Sequence, residues 1–178
     1  MTLLNHRREL LSIMILAIAS FFFFAPHRAL SADAPAATPT SQPVDLALNK
    51  PATASATESD DHAASKANDA DEDETRWCAD SADVPQWWQV DLGAPTTVTS
   101  CKIKFEMDQK KYQYVIEGSA DGTAWKTLSD QSATTETAQV QTLTFDKPAD
   151  AVRYVRIRFT ALDDGCWASM FDFKVFGK

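Results

Sequence analysis

Five carboxylates fall between Asp69 and Thr75: Asp69, Asp71, Glu72, Asp73 and Glu74. A hard cation such as Ca²⁺ takes six to eight oxygen ligands, which clustered carboxylates and carbonyls supply. The same run also reads as a solvated, self-repelling surface loop. Asp at 69, 71 and 73 imitates the opening of a helix–loop–helix calcium loop. The imitation stops at the sixth position, which is Glu74 and not Gly, and no flanking helices are expected. The residue pattern alone leaves both readings open.

Three cysteines, Cys78, Cys101 and Cys166, form the second set of reactive groups. Cys101 alternates with Ser100 and Lys102 and reads as a buried small hydrophobe. Cys78 and Cys166 sit in loops, each beside a tryptophan (Trp77 and Trp167), and are expected to pair. Closing a loop of that length is worth roughly 4–5 kcal/mol on the loop-entropy model. Zinc is the rival, but scattered cysteines lack the paired spacing of a zinc site. No Ser-His-Asp, Cys-His or paired-carboxylate arrangement stands out. The one histidine beyond residue 43, His62, is thin material for acid–base catalysis.

These groups are carried on a chain of 178 residues with a formal charge of −8. Its length suits one domain and is too short for an eight-fold βα barrel. The acidic balance argues against nucleic acid as a partner, since phosphates need a basic face. His6, Arg7 and Arg8 precede an apolar run from Leu10 to Ala25, which is short for a membrane span. A basic start, a short apolar middle and small residues make residues 1–31 a secretory signal peptide, cut near Ser31 or Ala32. An uncleaved anchor is the alternative. Export implies a secreted, periplasmic or cell-surface location, in an oxidising compartment where disulfides persist. Residues 32–43 are rich in Ala, Pro, Ser and Thr and read as a linker. The folded domain is expected over 44–178, with 14 basic against 23 acidic side chains.

Within it, hydrophobic residues alternate with period two. Cys101, Ile103 and Phe105 face one way, and Ser100, Lys102 and Lys104 the other. Val155, Ile157 and Phe159 repeat the pattern against Arg156 and Arg158. Segments 87–92, 112–117, 139–145 and 171–176 are further strands. Asp121-Gly122 marks a hairpin turn before Trp125. Short strands at this spacing, with no sustained helical period, predict an all-β sandwich or jelly roll.

Seven short segments carry a likeness. LALNKPATAS (46–55), ASKAND (64–69), TRW (75–77), QWWQVDLG (86–93), EGSADGTAW (117–125), RYVRI (153–157) and ASMFDFKVFG (168–177) occur in this order. The set resembles the coagulation factor V/VIII type C, or discoidin, domain over essentially all of 45–178. It is most similar to the bacterial family 32 carbohydrate-binding modules. The resemblance implies a β-sandwich jelly roll of the galactose-binding-domain-like type. Trp77-Cys78 with Cys166-Trp167 resembles a subgroup that carries this cysteine pair. By position, a structural Ca²⁺ would take the Lys66 carbonyl, Asp69, a group at Asp71, Thr75 and Asp172. Departures are visible: the family's Asp-Gly is Asp69-Ala70 here, the stretch to Thr75 is one residue longer than common, and the C-terminal Glu is Asp172.

Family members bind sugars at the loop end, where a ring meets the sugar's C–H face and polar groups meet its hydroxyls. That implies Trp167 as the ring, or else Trp167 as packing on the expected disulfide. Asp164, Glu106, Tyr112 and His62 are the polar candidates. Glu106 stands near where galactose-type members often carry Arg, which argues against galactose itself. Of the adjacent Trp87 and Trp88, the family pattern favours Trp87 for the core. Trp125 resembles a core position, and Trp77 is expected to pack beneath the calcium loop. The expected function is a secreted, non-catalytic glycan-binding module with a Kd of about 10⁻³–10⁻⁵ M. It would act alone, beside a separate enzyme or at a cell surface. The alternative is a discoidin-like module for protein or membrane surfaces. Its acidic loops oppose insertion into anionic lipid.

Overall fold

The computed structural model describes residues 43–178. The expected signal peptide and nearly all of the expected linker lie outside the described residues. The chain orders its strands as β1 Ala52–Ala54, β2 Trp77–Cys78, β3 Gln86–Phe105, β4 Tyr112–Ser119, β5 Trp125–Gln131, β6 Val140–Leu162 and β7 Ser169–Gly177. Two single turns of 3₁₀ helix, Asp60–His62 and Ala64–Ala67, lie between β1 and β2. The hydrogen-bonded order is β2-β7-β3-β6-β4-β5, with β1 on the free side of β3. Every pairing is antiparallel.

Two long strands turn this sheet into a sandwich. The expected segments 87–92 and 99–105 are one bent strand, β3, and 139–145 and 152–159 fall almost wholly in another, β6. The register between them slips at Asp91/Thr96, Thr96/Val98 and Val98/Ser100. Gly93 (φ 88°) and Ala151 (φ 57°) adopt left-handed backbone at these bends. Slips and bends of this kind carry one strand from one layer to the next. The first half of β3 and the second half of β6 therefore join β1, β4 and β5. Their other halves join β7 and β2.

The core lies between the layers and follows the period-two pattern. Trp88, Val90, Cys101, Ile103, Phe105, Val155, Ile157, Phe159, Phe173 and Val175 are fully buried. Trp88 reaches across to Phe173, with ring centroids 5.1 Å apart. Trp88, not Trp87, is the core tryptophan. Trp88 shares its face with Val90 and Leu92, whereas Trp87 points with Gln89 and Asp91 to the outer face. Trp125 is also outside the core: it is half-buried, with the Arg156 guanidinium 3.9 Å over its ring. Phe159 gathers Trp77, Phe105, Tyr112 and Tyr114 within 6.4 Å at the loop end of the sandwich.

Two glycines are required by geometry. Gly122 (φ 78°) completes the β4–β5 turn, where Asp121 Oδ1 accepts from the amides of Thr123 and Ala124. Gly177 lies so close to β3 that a Cβ would sit 2.0 Å from the Thr97 carbonyl oxygen.

Candidate functional site

The segment after β1, the β3–β4 loop (106–111) and the β6–β7 loop (163–168) open at the same end of the sandwich. Between them is a shallow concavity of about 240 Å³, lined by Glu58, Arg76, Cys78, Glu106, Met107, Gly165 and Trp167. Trp167 is 39 % exposed, a rarity for so large an apolar ring beside a buried core. Gly165 (φ 79°) has no atom within 4 Å of its would-be Cβ, so the loop leaves space beside the ring.

Three charged side chains line the same hollow. Arg76 Nε lies 2.9 Å from Glu106 Oε1, an ion pair without a well-directed hydrogen bond. Glu58 Oε2 lies 2.7 Å from His62 Nδ1, a close contact without a well-directed hydrogen bond. The Glu58 amide donates to the Cys78 carbonyl at 3.0 Å, which ties this loop to β2. Two carboxylates and one guanidinium therefore line the hollow. The floor is chemically quiet. Burial first, then Glu106 and Glu58, pushes the Cys78 thiol up to about 12.

The structure brings together Trp167 and Glu106 and separates the other expected ligand residues. Tyr112 is fully buried, stacked on Phe105 at 4.3 Å, and its hydroxyl accepts from the Met107 amide at 3.3 Å. It supports the β3–β4 loop and cannot touch a ligand. Asp164 is exposed and engaged through its carbonyl, which accepts from Lys110 Nζ at 3.1 Å. His62 stands behind Glu58 and does not line the hollow. Glu58 and Arg76 are not singled out by the sequence. The Glu58–His62 spacing of four was the available signal for one, and the place of Arg76 before a buried Trp for the other.

Cys78, Cys101 and Cys166 are free and buried. The β2–β7 register sets Cys78 opposite Ser169, not opposite Cys166. The Cys166 thiol lies instead 3.8 Å from Met107 Sδ. Trp167 lines the hollow and is partly exposed there.

The acidic loop is neither free nor self-repelling. Lys102 and Lys174 are directly opposed on the outer face of β3 and β7, and Lys104 opposes Asp172. Like charges facing each other across a ladder destabilise it. Glu72 lies across both opposed lysines, paired to Lys174 and 3.4 Å from Lys102 Nζ. Asp73 takes Lys104 at 2.5 Å. Asp71 Oδ1 accepts from the amides of Glu74 and Asp73, which hold its carboxyl below the usual range. The loop covers Asp172, whose carboxylate is 3 % exposed and whose Oδ2 has no hydrogen-bond partner. Burial raises its pKa to about 7, against the opposing pull of Lys174 3.7 Å away.

Among the described residues no three His, Cys, Asp or Glu side chains converge as a metal cluster. Mixed oxygens do converge. Thr75 Oγ1 lies 2.9 and 3.0 Å from the two Asp69 carboxylate oxygens, 3.4 Å from the Asp71 carbonyl and 3.5 Å from the Lys66 carbonyl. The Asp71 amide also donates to Asp69 Oδ1 at 3.2 Å, and Lys66 Nζ lies 3.6 Å from Asp69 Oδ2. Asp172 faces a different set of groups, Lys174, Glu72, Asp45 and Lys102, and no contact joins its carboxylate to these oxygens. Ala70 holds φ 76° in this loop, a conformation that glycine takes without strain.

A family model for the F5/8 type C domain matches residues 51–173. Chitosan-binding module 1 of a chitosanase/glucanase from Paenibacillus sp. IK-5 is 33 % identical. That match covers 75 % of this chain and 99 % of that one, with a TM-score of 0.65. Module 2 of the same enzyme, in complex with chitotriose, is 27 % identical over 75 % of this chain and all of that one, with a TM-score of 0.66. A family 32 module from Clostridium perfringens NanJ, in complex with galactose, is 24 % identical over 72 % of this chain and 93 % of that one. Its TM-score of 0.60 shows a shared fold. Comparison with curated proteins gives no match. With its bent-strand sandwich and loop-end hollow, the chain belongs to the F5/8 type C, or discoidin, domain family, and its structural neighbours are family 32 carbohydrate-binding modules.

Proposed function

We propose that this protein is a secreted, non-catalytic glycan-binding module whose ligand is an amino-sugar chain of the chitosan type. One observation carries the reading: an exposed tryptophan shares a hollow with Glu58, Glu106 and Arg76. The ring would stack on a sugar's C–H face, and the fixed polar groups would take its hydroxyls. The excess of carboxylate over guanidinium favours a ligand bearing a protonated amine. The chitosan-binding relatives agree with that choice. Glu106 already faces a full guanidinium charge in Arg76, so Glu58 is the carboxylate we assign to the amine.

A shallow site of this kind binds weakly, with a Kd of about 10⁻³–10⁻⁵ M, and gains from several modules or repeated ligands. A separate enzyme or a cell surface bearing such chains would supply that repetition. Calcium would be held by Lys66, Asp69, Asp71, Thr75 and Asp172, as a structural ion that steadies the loop leading into Trp77. The test is a glycan array with calcium present, followed by calorimetry on chito-oligosaccharides. Binding by the wild type that falls at least tenfold in Trp167→Ala is the expected result. Silence across the array from the folded protein would overturn the reading in favour of a protein surface.

A further inference from the structure

Behind the hollow stands the single histidine of the described residues, and Glu58 is the one lining side chain with which it forms an ion pair. From the geometry we infer that His62 is the positioning residue of the glycan site: it fixes the Glu58 carboxylate without itself contacting sugar. This rests on the glycan reading above and deepens it.

Glu58 is 39 % exposed at its side chain and sits in an irregular segment, where a glutamate would otherwise sample many rotamers. Holding such a side chain at the moment of binding costs conformational entropy that a preorganised one has already lost. The main chain of Glu58 is fixed first, by its amide on the Cys78 carbonyl. The 3₁₀ turn Asp60–His62 then brings His62 back over the loop, with its amide donating to the Ser59 carbonyl at 3.0 Å. Nδ1 lies 2.7 Å from Glu58 Oε2 and 3.2 Å from Ser59 Oγ. The imidazole thus engages one oxygen of the Glu58 carboxylate. Asp60 and Asp61, on the same turn, are exposed and do not compete for the imidazole.

The test is a double-mutant cycle read by calorimetry with chitotriose as the probe, on the wild type, His62→Leu, Glu58→Gln and the double variant. Unfolding temperatures are recorded alongside to show that each variant folds. His62→Leu is expected to weaken binding at least fivefold. His62→Asn, whose amide N–H can take the place of Nδ1–H, is expected to restore it to within about twofold. The double variant should bind no worse than Glu58→Gln alone, because residues acting through one contact are not additive. Additive losses would overturn the assignment by showing that His62 meets the sugar itself. Undiminished binding in His62→Leu would overturn it too, and would leave the glycan reading intact. A wild type that binds neither chitotriose nor any neutral oligosaccharide overturns the glycan reading and this assignment together.

Discussion

The acidic loop and the Trp167 hollow are both carboxylate-bearing loop regions, and they treat their charges in opposite ways. In the loop, Asp69, Asp71, Glu72 and Asp73 all have partners within the protein: Thr75, main-chain amides, Lys102, Lys174 and Lys104. In the hollow, the ion pairs lie at the rim and an exposed ring lies between them. Density of charge marked the loop in the sequence. Open valence beside an apolar surface marks the hollow, and that is what a ligand can use. The loop's remaining capacity is of another kind. It has more acceptor oxygens than protons, which suits a cation and not a sugar.

The contrast breaks most sharply when one tryptophan or the other is removed. Trp77 is fully buried at the mouth of the loop, against Phe159 and with its indole N–H on the Ala56 carbonyl. Trp77→Ala should cost about 3–5 kcal/mol of folding stability in denaturant titration. Trp167→Ala should leave stability within about 0.5 kcal/mol, because the ring is exposed, while lowering glycan affinity at least tenfold. Equal effects of the two on stability would erase the distinction between core and site.

Within the loop, calcium is the next lever. Millimolar calcium should raise the unfolding temperature relative to chelator, with about 2.7 kcal/mol available when the ion is a hundredfold above its Kd. Asp172→Asn should abolish that increment, and its chelated form should be more stable than the chelated wild type, since an amide costs less to bury than a carboxylate. Scanning calorimetry reads both. A smaller effect should come from Ala70→Gly, which relieves a left-handed alanine and should stabilise the fold by about 1 kcal/mol. If it instead destabilises, the flexibility gained by the unfolded chain outweighs the strain.

The smallest expected effect concerns a carboxylate with no part in either region. Asp91, at the far end of the sandwich, takes Arg153 in a two-pronged ion pair at 2.7 and 2.8 Å, and this hydrogen bonding lowers its pKa to about 2. A depressed carboxyl stabilises the fold above its unfolded value of about 4 and loses that contribution as pH falls toward 2. Asp91→Asn should therefore be less stable than the wild type at pH 7 and approach it near pH 2. Glycan affinity measured at pH 7 should not change.

How much of this was legible beforehand depended on range. Cys101, Ile103, Phe105, Val155, Ile157 and Phe159 declared their inward faces by alternation, because strand periodicity is local. The Asp121-Gly122 turn was equally legible, since one aspartate and one glycine satisfy it within five residues. The choice of Trp88 over Trp87 was legible by the same alternation, and the family pattern, which favours Trp87, pointed the wrong way. Trp88 is inward because its face also carries Val90 and Leu92.

By itself the amino-acid sequence determined an all-β domain with a tryptophan-rich core, an acidic surface and the family to which these segments belong. Tertiary structure decided which polar groups meet. Glu58, Arg76, Glu106 and Trp167 come from four separated segments, and their convergence depends on where β3 and β6 bend. It buried Tyr112, set Cys78 opposite Ser169 instead of Cys166, and laid Glu72 over two opposed lysines. Each is a contact between residues remote in the chain, and the hydrophobic pattern of one strand fixes its faces but not which distant residues it meets.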